Sequence, residues 1–173
     1  MKKKSIILLF VISLFFVCFN IVKAYKQEQN IKTELRNKWG IDIDKEDKLK
    51  KMKTSRPQWH GEHNKFIWFE VSNSENILNY IKVNNLYLHK MSSNIKKRII
   101  EIEDDLNIEK EDRIDFNSDY YYTKKIKHNF NLSSEKKTDI LYIILIKGNN
   151  NDRYNTNIFL VEDLNVLDLD RSF

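Results

Sequence analysis

Glycine and proline are nearly missing, at three and one in 173 residues. So few glycines cannot build a phosphate cradle, and neither a serine nucleophile elbow nor a CxxC pair occurs. The sole cysteine, Cys18, lies inside an apolar run, so the chain beyond it forms no internal disulfide and relies on its core. Acids are absent from the first 24 residues, which hold Lys2, Lys3, Lys4 and Lys23. The formal charge of +5 therefore belongs mostly to this leader, and the rest is close to neutral. That balance argues against a nucleic-acid partner, which needs a concentrated basic face.

What is present begins with the leader. Three lysines precede an apolar run from Ile6 to Val22, interrupted only by Ser13 and Asn20. This is an export signal, and two readings of it stay open. Val22 and Ala24 place small residues where signal peptidase prefers them, so residues 1–24 are a signal peptide cleaved after Ala24 and the product is secreted. Alternatively residues 5–22 stay in the membrane, since the run approaches the roughly 18 apolar residues of a spanning helix. In both cases the positive-inside bias keeps Lys2 to Lys4 in the cytoplasm and everything after Ala24 outside. Val17 before Cys18 is a poor fit to a lipoprotein.

Residues 25–47 read as a membrane-proximal helix and linker. Ile31, Leu35 and Trp39 recur at four-residue steps, and Gly40 supplies the stop. Residues 48–173 read as an extracytoplasmic domain with a single core. Its first segment, Lys48 to Thr54, fits a lysine-guarded edge strand. Pro57 turns Ser55 to Asn64 into a loop, and Lys65 to Val71 alternates Phe66, Trp68 and Glu70 with Ile67, Phe69 and Val71 as a strand. Ser72 and Glu75 have capping-box spacing before a helix to about Val83 with Ile77, Leu78 and Ile81 inward. Leu86 to Leu88 is a connector. Ser92 or Ser93 then caps a second helix with Ile95, Ile99, Ile102 and Leu106 on one face. Its cations Lys96, Lys97 and Arg98 come first and its acids last, against the helix dipole.

Glu109 to Arg113 is read as a loop. Tyr120 to Ile126 favours a strand, and Asn129 to Lys137 is polar. Ile140 to Ile146 is apolar on both alternating faces, the mark of a central strand covered on both sides. After a turn cluster at Gly148 to Asp152, Asn157 to Glu162 returns as the second arm of an antiparallel hairpin, and the chain beyond Asp163 is read as an edge strand or frayed end. The expected class is α+β: an antiparallel sheet with helices on one face, preceded by the N-terminal apolar helix.

Chemistry concentrates at Trp59-His60-Gly61-Glu62-His63. Imidazoles and a carboxylate suit zinc, and a metal-assisted hydrolase would use His60, Glu62 and His63. The histidines are three apart around a glycine, unlike the helical zinc pair, and a third ligand would have to come from His89, His128 or an acid. The competing reading is a turn that Gly61 permits and Trp59 braces against the core edge. No cofactor is expected. Tyr120, Tyr121 and Tyr122 offer an aromatic platform for carbohydrate or peptide, or else core and rim of a strand. As binding residues the sequence nominates His60, Glu62, Tyr120 and Tyr122, with His60 and His63 as the metal candidates and none as catalytic.

Several of these pieces resemble a family of uncharacterised small exported proteins and lipoproteins of low-GC Gram-positive bacteria. The matching segments are Gly40-Ile41-Asp42, His60-Gly61-Glu62-His63 entering Phe66 to Phe69, Tyr120 to Tyr122, and Tyr142 to Glu162. Glu62 stands for that family's aspartate and His63 for a glycine, so the second histidine is no family feature and the metal reading weakens. The resemblance brings no activity with it. The exported, compact, motif-poor domain itself is what points to a non-enzymatic binding or immunity-type module facing a protein or envelope partner.

Overall fold

The computed structural model describes residues 2–56, 63–71, 74–88, 90–130, 136–146 and 156–167. The chain divides into two compact units, residues 1–43 and 44–173.

In the first unit one helix, α1 (Lys2–Trp39), takes in the apolar run and the polar stretch behind it. It passes through Ala24 without a break. Side chains from Phe10 to Val22 are exposed, and α1 is long and apolar enough to cross a membrane. Ile31, Leu35 and Trp39 are buried, as their four-residue spacing requires of one face. Gly40 ends the helix at φ +65°, a left-handed conformation that costs glycine nothing, and its N–H donates to the Arg36 carbonyl at 2.9 Å.

The second unit is a six-stranded antiparallel sheet with helices. Its strands are β1 (Lys48–Thr54), β2 (His63–Val71), β3 (Tyr87–Leu88), β4 (Tyr120–Phe130), β5 (Lys136–Ile146) and β6 (Thr156–Leu167). They lie in the order β1-β2-β6-β5-β4-β3. Two helices, α2 (Ser74–Val83) and α3 (Ser93–Asp105), complete the α+β architecture. All of Ile140 to Ile146 on β5 is buried, on both alternating faces. On one face Ile140, Tyr142 and Ile144 join Phe66, Phe159 and Tyr120 against Ile99 and Ile102 of α3. Trp68 stacks on Phe159 at 5.6 Å there and donates its indole N–H to Asn157 at 2.8 Å. On the opposite face Leu141, Ile143 and Leu145 lie with Ile67, Phe69 and Leu160, equally buried.

Scarce glycine is replaced by asparagine. Both α2 and α3 end in a Schellman arrangement with Asn85 at φ 50° and Asn107 at φ 49°, and the N–H groups of Leu86 and Ile108 reach back to the carbonyls of Ile81 and Glu103. At the start of α3, Ser92 is the cap and accepts from the Ile95 N–H.

Several boundaries differ from those read off the sequence, among them a 3-10 turn, Lys110–Asp112, inside the segment read as a loop. β2 begins at His63 rather than Lys65, Tyr87 and Leu88 form a short strand, β4 runs on to Phe130, and β5 starts at Lys136. β6 also continues past Asp163 to Leu167, because the chain there stays paired, Leu164 with His63 of β2 and Val166 and Leu167 with Thr138 and Lys137 of β5. The loop of Trp59, His60, Gly61 and Glu62, the Ser72 cap, His89, the Gly148 turn and the chain after Leu167 lie outside the described residues.

Candidate functional site

Among the nominated residues, His60 and Glu62 fall outside the described residues. His63 is half-buried in the first position of β2, opposite Leu164 of β6. His128, a proposed third ligand, is on β4, exposed, with Nδ1 3.2 Å from the Thr138 hydroxyl. In the strand order it stands three places from His63, roughly 14 Å at the usual strand spacing, and strand alternation turns the two side chains to opposite faces. The pair cannot share an ion. No group of three metal-ligating side chains forms among the described residues.

Tyr120 and Tyr122 are buried beneath α3 and offer no platform. They are core, as the competing reading of the tyrosine run had it. Burial pushes the Tyr122 hydroxyl's pKa up, with Tyr142 adding to the effect. Phe116 meets Tyr120 edge-on at 5.9 Å, and the Lys96 ammonium lies 5.2 Å from the Tyr120 ring centre.

The sequence missed a charged seam in the middle of the sheet, at the end where β2 emerges from the histidine loop. Register places Asn64 opposite Asp163 and Lys65 opposite Glu162. Glu162 and Asp163 are neighbours on one strand, so they face opposite sides. On one side the Lys65 ammonium lies 3.3 Å from Glu162, whose side chain is 0% exposed. On the other, Arg98 reaches down from α3 and donates twice to Asp163, through Nε and Nη2, each at 3.0 Å. Geometry of this forked kind is the strong form of a charge-assisted hydrogen bond. Asp163 and the neighbouring Glu101 hold the Arg98 guanidinium still more firmly protonated than usual. Each pair is internally neutralised, which suits holding a sheet in register better than turning over a substrate.

Here also lies the reason for the reversed charge order on α3. Its early cations are spent on tertiary partners: Lys96 on the aromatic rings of Phe116 and Tyr120, Arg98 on Asp163. Its late acids hold the following loop. Glu103 is buried, and its carboxylate accepts the Ile114 N–H at 2.9 Å. Burial raises its pKa to about 7, against the opposing effects of that hydrogen bond and of Arg113. Asp104 pairs with Arg113 at 2.6 Å.

A second polar node joins α2 to the segment before β1. The Tyr80 hydroxyl donates to Asp47 at 2.9 Å and accepts the Asp44 N–H at 2.8 Å. Desolvation, reinforced by Asp47, drives the Tyr80 hydroxyl's pKa far up, so it stays a donor. Two further acids are also engaged, Glu70 with Lys50 at 3.1 Å and Asp104 with Arg113. No protein-family model matches the chain, nor does any curated protein or solved structure.

Proposed function

We propose that this protein is a membrane-held binding module, of the exported kind that the glycine-loop resemblance implies, whose second unit faces outward and engages a protein or envelope component without chemistry of its own. The observation that carries this reading is α1. Its exposed apolar band runs from Phe10 to Val22 and continues unbroken through Ala24 to the buried Ile31, Leu35 and Trp39. A span followed directly by an ordered helix suits an anchor, and Lys2 to Lys4 favour the cytoplasmic side for its start. The two ion pairs of the seam, Lys65 with Glu162 and Arg98 with Asp163, neutralise themselves, which leaves the surface of the unit for contact.

Cell fractionation with N-terminal sequencing tests the anchor: the chain is expected in the membrane fraction with its leader intact. A mature protein beginning at Tyr25 would sink it. Exposure of the second unit to added protease on intact cells tests its side, and full protection would overturn the outward placement.

A further inference from the structure

β4 is paired along its whole length on one side only. Toward β5 its register runs from Tyr120–Ile146 to Phe130–Lys136 with no bulge. Toward the other side β3 covers Tyr121 and Tyr122 alone, and from Thr123 to Phe130 no strand lies outside it among the described residues. That edge is regular, free of glycine and proline, and contains no acid. Lys124, Ile126, Lys127 and His128 are exposed. Lys124 and Lys127 make no ion pair among the described residues, Asp139 across from Lys127 being buried. An open edge of this kind is a template for an added strand.

The charges on the edge select its occupant. A second copy of the same edge would set lysine against lysine, which cross-strand pairing disfavours. A partner strand running antiparallel would instead place an acid opposite Lys127, an apolar residue opposite Ile126, and an acid opposite Lys124. We infer that the outer edge of β4 from Thr123 to Phe130 docks an extended acidic peptide segment of a partner protein by strand addition. This rests on the binding-module reading and names the partner's chemistry. Main-chain hydrogen bonds supply the docking, and the lysines supply the choice of sequence.

The test uses the full chain in lipid nanodiscs and a synthetic peptide whose core reads acid, valine, threonine, acid. Binding is expected to slow amide hydrogen exchange within residues 123–130. Charge reversal in the double variant K124E/K127E should weaken it about tenfold, since each lost exposed pair is worth up to about 1 kcal/mol. A peptide of the same charge with proline at its centre should not bind, because proline cannot join the ladder. Equal binding of the proline peptide, equal binding by K124E/K127E, or absence of protection in residues 123–130 each overturns the inference. If an envelope protein crosslinks equally to wild type and K124E/K127E, the binding-module reading survives and the edge docking does not.

Discussion

The lysines of the sheet live in two different circumstances. On the β1–β2 side every described one but the exposed Lys48 at the strand's start meets a partner: Lys50 with Glu70, Lys51 with Glu109 and Asp112, Lys53 with Glu109 and the Asn107 carbonyl, Lys65 with Glu162. β1 is also bulged between Leu49 and Lys51, which spoils its outer edge as a template. On the β4 side the ladder is regular, and Lys124 and Lys127 meet no acid among the described residues. One residue type therefore does opposite work. Paired, it closes an edge and fixes a register; unpaired on a regular edge, it leaves charge to be answered from outside.

The largest break in this contrast is expected at Lys65. Replacing it by alanine takes the cation from a carboxylate that has no exposure, and unpairing a buried ion pair costs about 3–5 kcal/mol. Urea denaturation measures the loss. Lys65→Met combined with Glu162→Leu should recover most of it, because an apolar pair of similar volume needs no compensation. A double variant as unstable as the single one would mean that the pair does more than cancel its own charge.

Next comes the loop that brings Glu109 and Asp112 to the β1 lysines, and Glu103 is its fastening. The Glu103 pKa rises from 4.5 to about 7 on folding, so the folded chain holds that proton longer than the unfolded chain does. Its contribution is present in full below about pH 4.5 and is lost as the pH rises to about 7. The loss amounts to about 3 kcal/mol at most. Glu103→Gln keeps an acceptor for the Ile114 N–H and removes the titration. The wild-type stability minus that of the variant should fall across this window and stay flat above it, and parallel curves would rule the linkage out.

A smaller effect is expected at Lys51, which is only partly exposed and shared between two acids. Lys51→Ala should cost about 1 kcal/mol and lose that difference in high salt, as pairs near the surface do. A salt-independent cost would point instead to packing of the lysine stem.

Much of the architecture was legible because local pattern and burial agree. Ile140 to Ile146, apolar in both phases, is central, and the alternation of Phe66 and Trp68 with Ile67 and Phe69 sorts correctly between the two faces. The charged seam was not legible, because Lys65 and Glu162 become neighbours only through the pairing of β2 with β6, and no local period announces it. For the same reason Arg98 and Glu103 looked misplaced on their helix until Asp163 and Ile114 supplied partners. Tyr120 and Tyr122 were ambiguous from residue type alone, since a strand tyrosine serves as core or platform according to what lies above it, and here α3 does. Asparagine at the two helix ends could have been anticipated: with so little glycine, something else must adopt the left-handed conformation.

The smallest effect on stability should belong to Lys124 and Lys127, and its smallness is what separates the two sides of the sheet. Alanine at both positions removes no ion pair among the described residues and opens no cavity, so the midpoint of urea denaturation should move by no more than about 0.5 kcal/mol. The same substitutions leave a regular, unpaired edge without its lysine guard, so the alanine variant should self-associate more readily than wild type, as sedimentation at rising concentration would reveal. A loss of stability comparable to that of Lys51→Ala would mean that these lysines already have partners, and the distinction between a closed edge and a waiting one would collapse.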